Sequence, residues 1–182
     1  MLASIAIVVV VIVALGVILV FNSLITARNR VKNAWAQIDV QLKKRADLVY
    51  NLAEVVKGYS KHEKNVFEEV TKRRTGILGS SSQDEVIAQS NALSASMKSV
   101  FAVAEAYPEL KANQGYLDLQ RQLVSLEDGI ARARMVYNDV VTIYNTRIAT
   151  FPQNILAPPL GFGETGLLET DAIDRLAVKV KL

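Results

Sequence analysis

The chain has 182 residues and 51% of them are hydrophobic, which is more than a soluble domain usually carries. The excess lies in residues 1–21, where 19 side chains are apolar. Six basic side chains against Asp39 give residues 1–45 a charge of +5, whereas residues 46–182 carry −2. The absence of cysteine excludes disulfides, Cys-ligated metals, thiol nucleophiles and an acylated lipoprotein cysteine.

The amino-terminal apolar run predicts a transmembrane anchor over residues 1–22. The 17 residues from Ile5 to Phe21 are uncharged, and counting from Met1 the run reaches 21, close to the roughly 20 residues that a spanning helix needs. The alternative is a cleaved signal peptide. We favour the uncleaved anchor, because a signal peptide would carry a basic start, a shorter apolar core and a small-residue exit site.

Basic residues follow this run but do not precede it. Arg28, Arg30 and Lys32 come within eleven residues of Phe21 and form a basic collar that we expect to contact anionic membrane lipids. The positive-inside rule then predicts an amino terminus outside the membrane and the bulk of the chain in the cytoplasm. The collar has no aromatic side chains for base stacking apart from Trp35, so no nucleic-acid partner is expected.

A heptad pattern continues after the anchor, with spacings of four and three residues. Its positions are Val31, Trp35, Ile38, Leu42, Arg45, Val49, Leu52, Val56 and Tyr59. Neither proline nor glycine occurs in residues 17–57, so we expect the anchor to continue directly into this helix. Arg45 is the one charged position, which predicts a buried ion pair with Glu127 or Asp39 that fixes the helix register. Alternatively, its guanidinium extends to solvent.

Two further helices are predicted, which gives an all-α fold with a long antiparallel, coiled-coil-like bundle over residues 23–151. Glycines and serines in Thr75–Asp84 predict a loop, and Ser82 with Glu85 has capping-box spacing. The next helix ends or bends near Pro108. The last is expected to end near Thr150 and has an apolar face at Tyr116, Leu119, Leu123, Leu126, Ile130, Ala133, Tyr137, Val140 and Tyr144.

Residues 152–182 are predicted to form an irregular tail, since prolines and glycines are frequent up to residue 166. Leu176, Val178 and Val180 then alternate with other residues, as expected for a short terminal strand. Because a lone strand needs a partner, these three residues are candidate contacts with another copy of the chain.

The sequence offers little support for an enzyme, and we expect no catalytic residue, cofactor or metal site. His62 is the single histidine, and a solvated surface is a simpler interpretation than a metal site completed by carboxylates. Tyr137-Asn138 and Tyr144-Asn145 repeat one heptad apart. This repeat is more typical of a helical packing edge than of a ligand pocket.

Several motifs resemble the LemA family of bacterial membrane proteins. The most specific is AWAQIDVQLKKR at residues 34–45; the others are Asp47-Leu48, Asn51-Leu52, GYSKHE at 58–63, AEAYPELKA at 104–112, both Tyr-Asn pairs, Phe151-Pro152 and Gly161-Phe162. Tyr50 departs from the pattern, since such proteins often have proline there. The resemblance implies an amino-terminal transmembrane helix followed by a cytoplasmic or exported helical bundle, with no established catalytic site. The family that the chain resembles also contains a magnetosome-membrane protein, so the resemblance implies a membrane-shaping or organising role.

Together these observations and the resemblance predict a non-enzymatic, single-pass protein of the bacterial inner membrane that self-associates and organises or shapes the membrane. The bundle core and register would depend on Trp35, Ile38, Leu42, Arg45, Tyr137 and Tyr144. The alternative is a membrane-anchored scaffold or signalling module whose bundle binds a partner protein.

Overall fold

The computed structural model describes residues 1–60 and 64–168, and within these ranges the predicted all-α fold is confirmed. The elements are α1 (Leu2–Lys57), α2 (Lys64–Gly79), α3 (Gln83–Glu105), α4 (Pro108–Lys111), α5 (Gln114–Ala149), α6 (Gln153–Leu156) and a 3-10 turn (Pro158–Leu160). The predicted strand with Leu176, Val178 and Val180 lies outside the described residues, as does His62.

Helix α1 leads from the apolar run into a helical bundle. It is long and apolar enough to cross a membrane, and residues 1–19 are all exposed. No proline or glycine interrupts it between residues 17 and 57, and Gly58 follows its last residue, as glycine often does at helix ends. The predicted continuity between apolar run and bundle helix is therefore confirmed.

The chain divides into two compact units. The first contains residues 1–35 together with the chain from Arg134 onwards. Its buried side chains come from α1, from the end of α5 and from the segment after it, namely Leu24, Ala27, Val31, Ala34, Tyr137, Val141, Tyr144, Ile148, Ala157 and Phe162. The predicted boundaries at residues 22 and 151 remain predictions.

The second unit contains residues 36–133. Its core takes apolar side chains from α1, α2, α3, α4 and α5, namely Ala46, Val49, Leu52, Ala53, Val56, Phe67, Val70, Ile77, Leu93, Val100, Ala104, Leu110, Tyr116 and Leu123. Many of these lie on the predicted heptad faces, because the helices bury the stripe that repeats every three to four residues.

The predicted loop Thr75–Asp84 is wrong in length. Helix α2 continues to Gly79 and α3 begins at Gln83, so residues 80–82 form the connection. Gly76 remains helical because α2 packs closely on α3 there: a Cβ at Gly76 would lie 2.8 Å from Cδ of Gln89. The glycine permits close approach, although its presence alone indicates a chain break.

The predicted helix signals at Ser82, Pro108 and Thr150 agree with the structure. Oγ of Ser82 accepts a hydrogen bond from the Glu85 amide at 3.2 Å, while the Glu85 carboxylate accepts from the Ser81 amide at 3.0 Å. The second contact therefore lies one residue earlier than in the standard capping box. Helix α3 ends before Pro108, and α5 ends at Ala149.

The segment after α5 is irregular, as predicted, but contains two short helical turns. Gly161 has a positive φ of 75°, a conformation that favours glycine, and it ends the 3-10 turn. The Phe162 amide then donates to the Ala157 carbonyl at 3.0 Å. Beyond Phe162, residues 163–168 have no helix or strand assignment.

Candidate functional site

The three residues of the predicted basic collar differ in their exposure to solvent. Arg30 and Lys32 are exposed, as lipid contact requires, whereas Arg28 is half-buried. The Arg28 guanidinium carbon lies 4.8 Å from the centre of the Phe162 ring, within cation–π range. Its Nε is buried and makes no hydrogen bond. Arg28 therefore contacts Phe162 of the tail, an interaction that its sequence position beside the anchor does not indicate.

A further basic residue lies beside the collar and was missed by the sequence interpretation. Arg147 Nη1 donates to Ser23 Oγ at 3.2 Å, and the Phe162 ring also meets Phe21 edge-on with centroids 6.0 Å apart. Arg147 is 124 residues from Ser23 in sequence, and Phe162 is 141 residues from Phe21, so only the folded bundle brings them together. The Gly161-Phe162 motif was the one signal in the sequence that could have drawn attention to this region.

Trp35 and Tyr137 meet in the first unit. Their rings are 6.1 Å apart at 70°, the edge-to-face geometry that aromatic pairs favour. Tyr137 is 1% exposed, and Trp35 is half-buried. Burial raises the pKa of the Tyr137 phenol. Burial also raises the pKa of Tyr144, and the positive charge of Arg28 lowers it by a smaller amount. Both phenols are therefore kept in the neutral form that donates hydrogen bonds.

Two Tyr-Asn pairs of α5 hold the tail. Asn145 Nδ2 donates to the Thr165 carbonyl at 2.9 Å, and the Thr165 amide donates back to Asn145 Oδ1 at 3.0 Å. Asn138 makes the same reciprocal pair with Leu168, at 3.0 and 2.9 Å. We call this set of contacts, which includes the hydroxyls of Tyr137 and Tyr144, the Tyr-Asn ladder.

The spacing of the Tyr-Asn ladder has a simple geometric origin. One heptad of helix rises about 10.5 Å, and three extended residues span about 10 Å. Accordingly, the two asparagines, one heptad apart, contact tail residues that are three apart. The two tyrosines follow the same rule: the Tyr144 hydroxyl donates to the Gly163 carbonyl at 2.9 Å, and the Tyr137 hydroxyl donates to the Gly166 carbonyl at 3.5 Å. The repeat is thus a binding surface for extended backbone as well as a packing edge.

Replacing Asn145 with Asp should release the tail locally. The carboxylate cannot donate to the Thr165 carbonyl and places negative charge against it, so a bidentate pair becomes one contact plus one repulsion. We expect the Thr165 amide to exchange with deuterium about tenfold faster or more in the full chain. Asn29→Asp, at an exposed position of α1, is the matched control; equal exchange in both variants would contradict the role of the Tyr-Asn ladder.

In the second unit, Arg45 is buried with its side chain 8% exposed, and its Nε lies 2.6 Å from Oε1 of Glu127. The atoms form an ion pair without hydrogen-bond alignment, and Arg45 Nη1 donates to Ser90 Oγ at 3.3 Å. Of the two acids considered from sequence, Glu127 is thus the partner, while Asp39 pairs with Lys43 at 2.7 Å. Ile38 and Leu42 are each 1% exposed.

An apolar groove runs between α3 and α5 in the second unit, with a volume of about 720 Å³. Its apolar lining consists of Met97, Phe101, Leu117, Leu123 and Val124. Val124 is 66% exposed and Leu117 37%. Both residues lie off the predicted heptad face, so the sequence pattern gave no reason to single them out. Among the described residues, no three His, Cys, Asp or Glu side chains cluster as a metal site.

The fold defines an α-helical bundle protein with a candidate membrane-spanning helix at its amino-terminal end. The chain belongs to the LemA family, which matches residues 34–182. It is 26% identical over 161 residues to Protein LemA of Metamycoplasma hominis, covering 86% of this chain and 72% of that protein.

Two further relatives come from Paramagnetospirillum magneticum. Magnetosome proteins MamQ 1 and MamQ 2 are each 23% identical over 168 residues, covering 78% of this chain. The chain spans 62% of the length of either magnetosome protein. The family resemblance inferred from motifs is confirmed.

Proposed function

We propose that this protein is a non-enzymatic, single-pass protein of the bacterial inner membrane whose helical bundle self-associates, and that the assembly organises or shapes the membrane. Its amino terminus lies outside and the bundle lies in the cytoplasm. The exposed Arg30 and Lys32 on the bundle side of the apolar run support this orientation. Similarity to two magnetosome proteins supports a role at a membrane.

The observation that carries self-association is the apolar groove of the second unit. Val124 is 66% exposed although it lines an apolar depression with Met97 and Phe101. Exposed apolar patches of this kind mark interaction sites, and a groove between helices fits an apolar helix face.

A second copy of the chain is a suitable occupant, because Val124 lines the groove and is itself largely exposed, so one apolar surface offers both a groove and a side chain to fill it. In a two-fold contact the same patch serves both partners, so Val124 of each copy can enter the groove of the other. Arg121 and Glu127 also line the groove, but Arg121 is paired with Asp118 and Glu127 with Arg45. The apolar side chains therefore carry the proposed contact.

The test is Val124→Glu in the full chain, measured by native mass spectrometry from mild detergent micelles. A carboxylate in a desolvated contact should raise the dissociation constant of the oligomer at least tenfold, because the charge would be buried without a partner. Val40→Glu is the matched control, since Val40 is 50% exposed and does not line the groove. A wild-type chain that is monomeric at micromolar concentration would overturn the proposal.

Deletion of residues 169–182 tests the other predicted contact, which contains Leu176, Val178 and Val180. If the deletion variant fails to assemble whereas Val124→Glu still assembles, self-association is mediated by the tail and not by the groove. If both variants still assemble, neither surface carries self-association, and the loss of a bound partner protein from either variant would favour the scaffold alternative.

A further inference from the structure

The end of α5 lies beside the boundary of the apolar run. In the first unit, α5 is antiparallel to α1: Tyr137 meets Trp35, and ten residues later Arg147 meets Ser23. Because both helices rise about 1.5 Å per residue, the same register brings Ala149, the last residue of α5, to the level of about residues 21 to 23. The apolar run ends at this level, at Phe21, and Phe151 follows Ala149 by two residues.

The chain reverses direction at this level through residues 151–160, which we call the tip segment. Its return is fixed by Phe162, whose ring contacts both Phe21 and Arg28. Thus the tip segment begins and ends beside the part of α1 where the apolar run gives way to the basic collar.

The tip segment exposes apolar side chains. Phe151 is 77% exposed, Ile155 62% and Leu160 39%, and no charged residue occurs from Phe151 to Gly163. Three exposed apolar side chains in one segment of ten residues are disfavoured in water and indicate a contact with a protein or a membrane. Here the neighbouring feature is an exposed apolar helix long enough to span a bilayer.

Charge around the tip segment fits a lipid surface. Arg28 and Arg147 lie beside its two ends, Arg30 and Lys32 are exposed nearby on α1, and none of these four residues has a carboxylate in an ion pair among the described residues. Basic side chains flanking apolar ones are the arrangement by which segments lie in the interface of anionic bilayers.

We propose that the tip segment inserts into the anionic interface of the same bilayer that α1 spans, as a second membrane contact of this chain. The inference rests on the proposed membrane anchor and adds to it. Two contacts, α1 and the tip segment, fix the rotation of the first unit about the α1 axis, which one spanning helix alone leaves free.

The test uses the absence of cysteine from the chain. Full-length Ile155→Cys, labelled with the fluorophore NBD, is reconstituted into vesicles of phosphatidylcholine and phosphatidylglycerol with lipids spin-labelled at the shallow carbon 5 position. Met135→Cys is the matched control, because Met135 is also 62% exposed and belongs to the first unit. Ile12→Cys, inside the apolar run, reports on the anchor with lipids labelled at carbon 12.

We expect strong quenching at residue 155 by the shallow label, little quenching at residue 135, and quenching at residue 12 by the deep label. Residue 155 behaving like residue 135, while residue 12 is quenched, would overturn the tip contact and leave the anchor intact. No quenching at residue 12 would instead overturn the anchor, and with it the inference that depends on it.

Discussion

Replacing Tyr137 with alanine should lower the free energy of unfolding by about 3 to 5 kcal/mol, the range for large aromatic residues truncated in a packed core. Tyr137 is 1% exposed and among the largest fully buried side chains of the described residues. Its loss leaves a cavity against Trp35, whose ring is 6.1 Å away. Urea-dependent pulse proteolysis of the full chain in detergent micelles measures the change.

Phenylalanine variants separate packing from hydrogen bonding. The Tyr137 hydroxyl donates to the Gly166 carbonyl at 3.5 Å, a weak contact, so Tyr137→Phe should cost less than about 0.5 kcal/mol. The Tyr144 hydroxyl reaches the Gly163 carbonyl at 2.9 Å, so Tyr144→Phe should cost about 1 kcal/mol. Equal losses for Tyr137→Phe and Tyr137→Ala would show that packing is not the main contribution.

The ion pair of the second unit should respond asymmetrically to substitution. Glu127→Gln leaves the Arg45 guanidinium buried without its counter-charge, which costs about 3 to 5 kcal/mol in fully buried pairs. Because the Glu127 side chain is 40% exposed, solvent screening lowers the expected loss to about 1 to 3 kcal/mol. Arg45→Met instead removes the buried charge and leaves a carboxylate that water can reach, so its cost should be smaller.

A double-mutant cycle makes this test quantitative. Arg45→Met combined with Glu127→Gln should be more stable than Glu127→Gln alone, because the uncompensated charge is gone. Pulse proteolysis of the three variants gives the coupling energy. If Arg45→Met were as costly as Glu127→Gln, the ion pair would matter through the volume of the arginine side chain and not through its charge.

The sequence predicts the helices of this fold well because heptad spacing reports directly which side chains face a core. Positions such as Leu52 and Tyr137 follow from that spacing alone, and both are buried. The choice between Asp39 and Glu127 as partner of Arg45 could not be made, since it depends on how α5 is registered against α1. Gly76 was misinterpreted because a glycine at a close helix contact resembles a chain break in sequence.

The candidate sites are less predictable, because they combine segments that periodicity does not relate. The Tyr-Asn repeat indicates a face of α5 but gives no sign of the tail that lies on it. Arg28 was interpreted from its position after the anchor, whereas its contact with Phe162 depends on the return of the chain after Gly161. The exposed Val124 lies off the heptad face, so a search for core residues overlooks it.

The Tyr-Asn ladder recognises main-chain atoms, which every residue other than proline carries in full. All its contacts with the tail go to main-chain amides and carbonyls, and a Cβ added at Gly163 or Gly166 would meet no atom within 4 Å. We therefore expect related chains to vary in tail sequence without losing this attachment, as long as the two asparagines remain and residues 165 and 168 are not proline. Substitutions should accumulate on the tail side of the contact and not at Asn138 and Asn145.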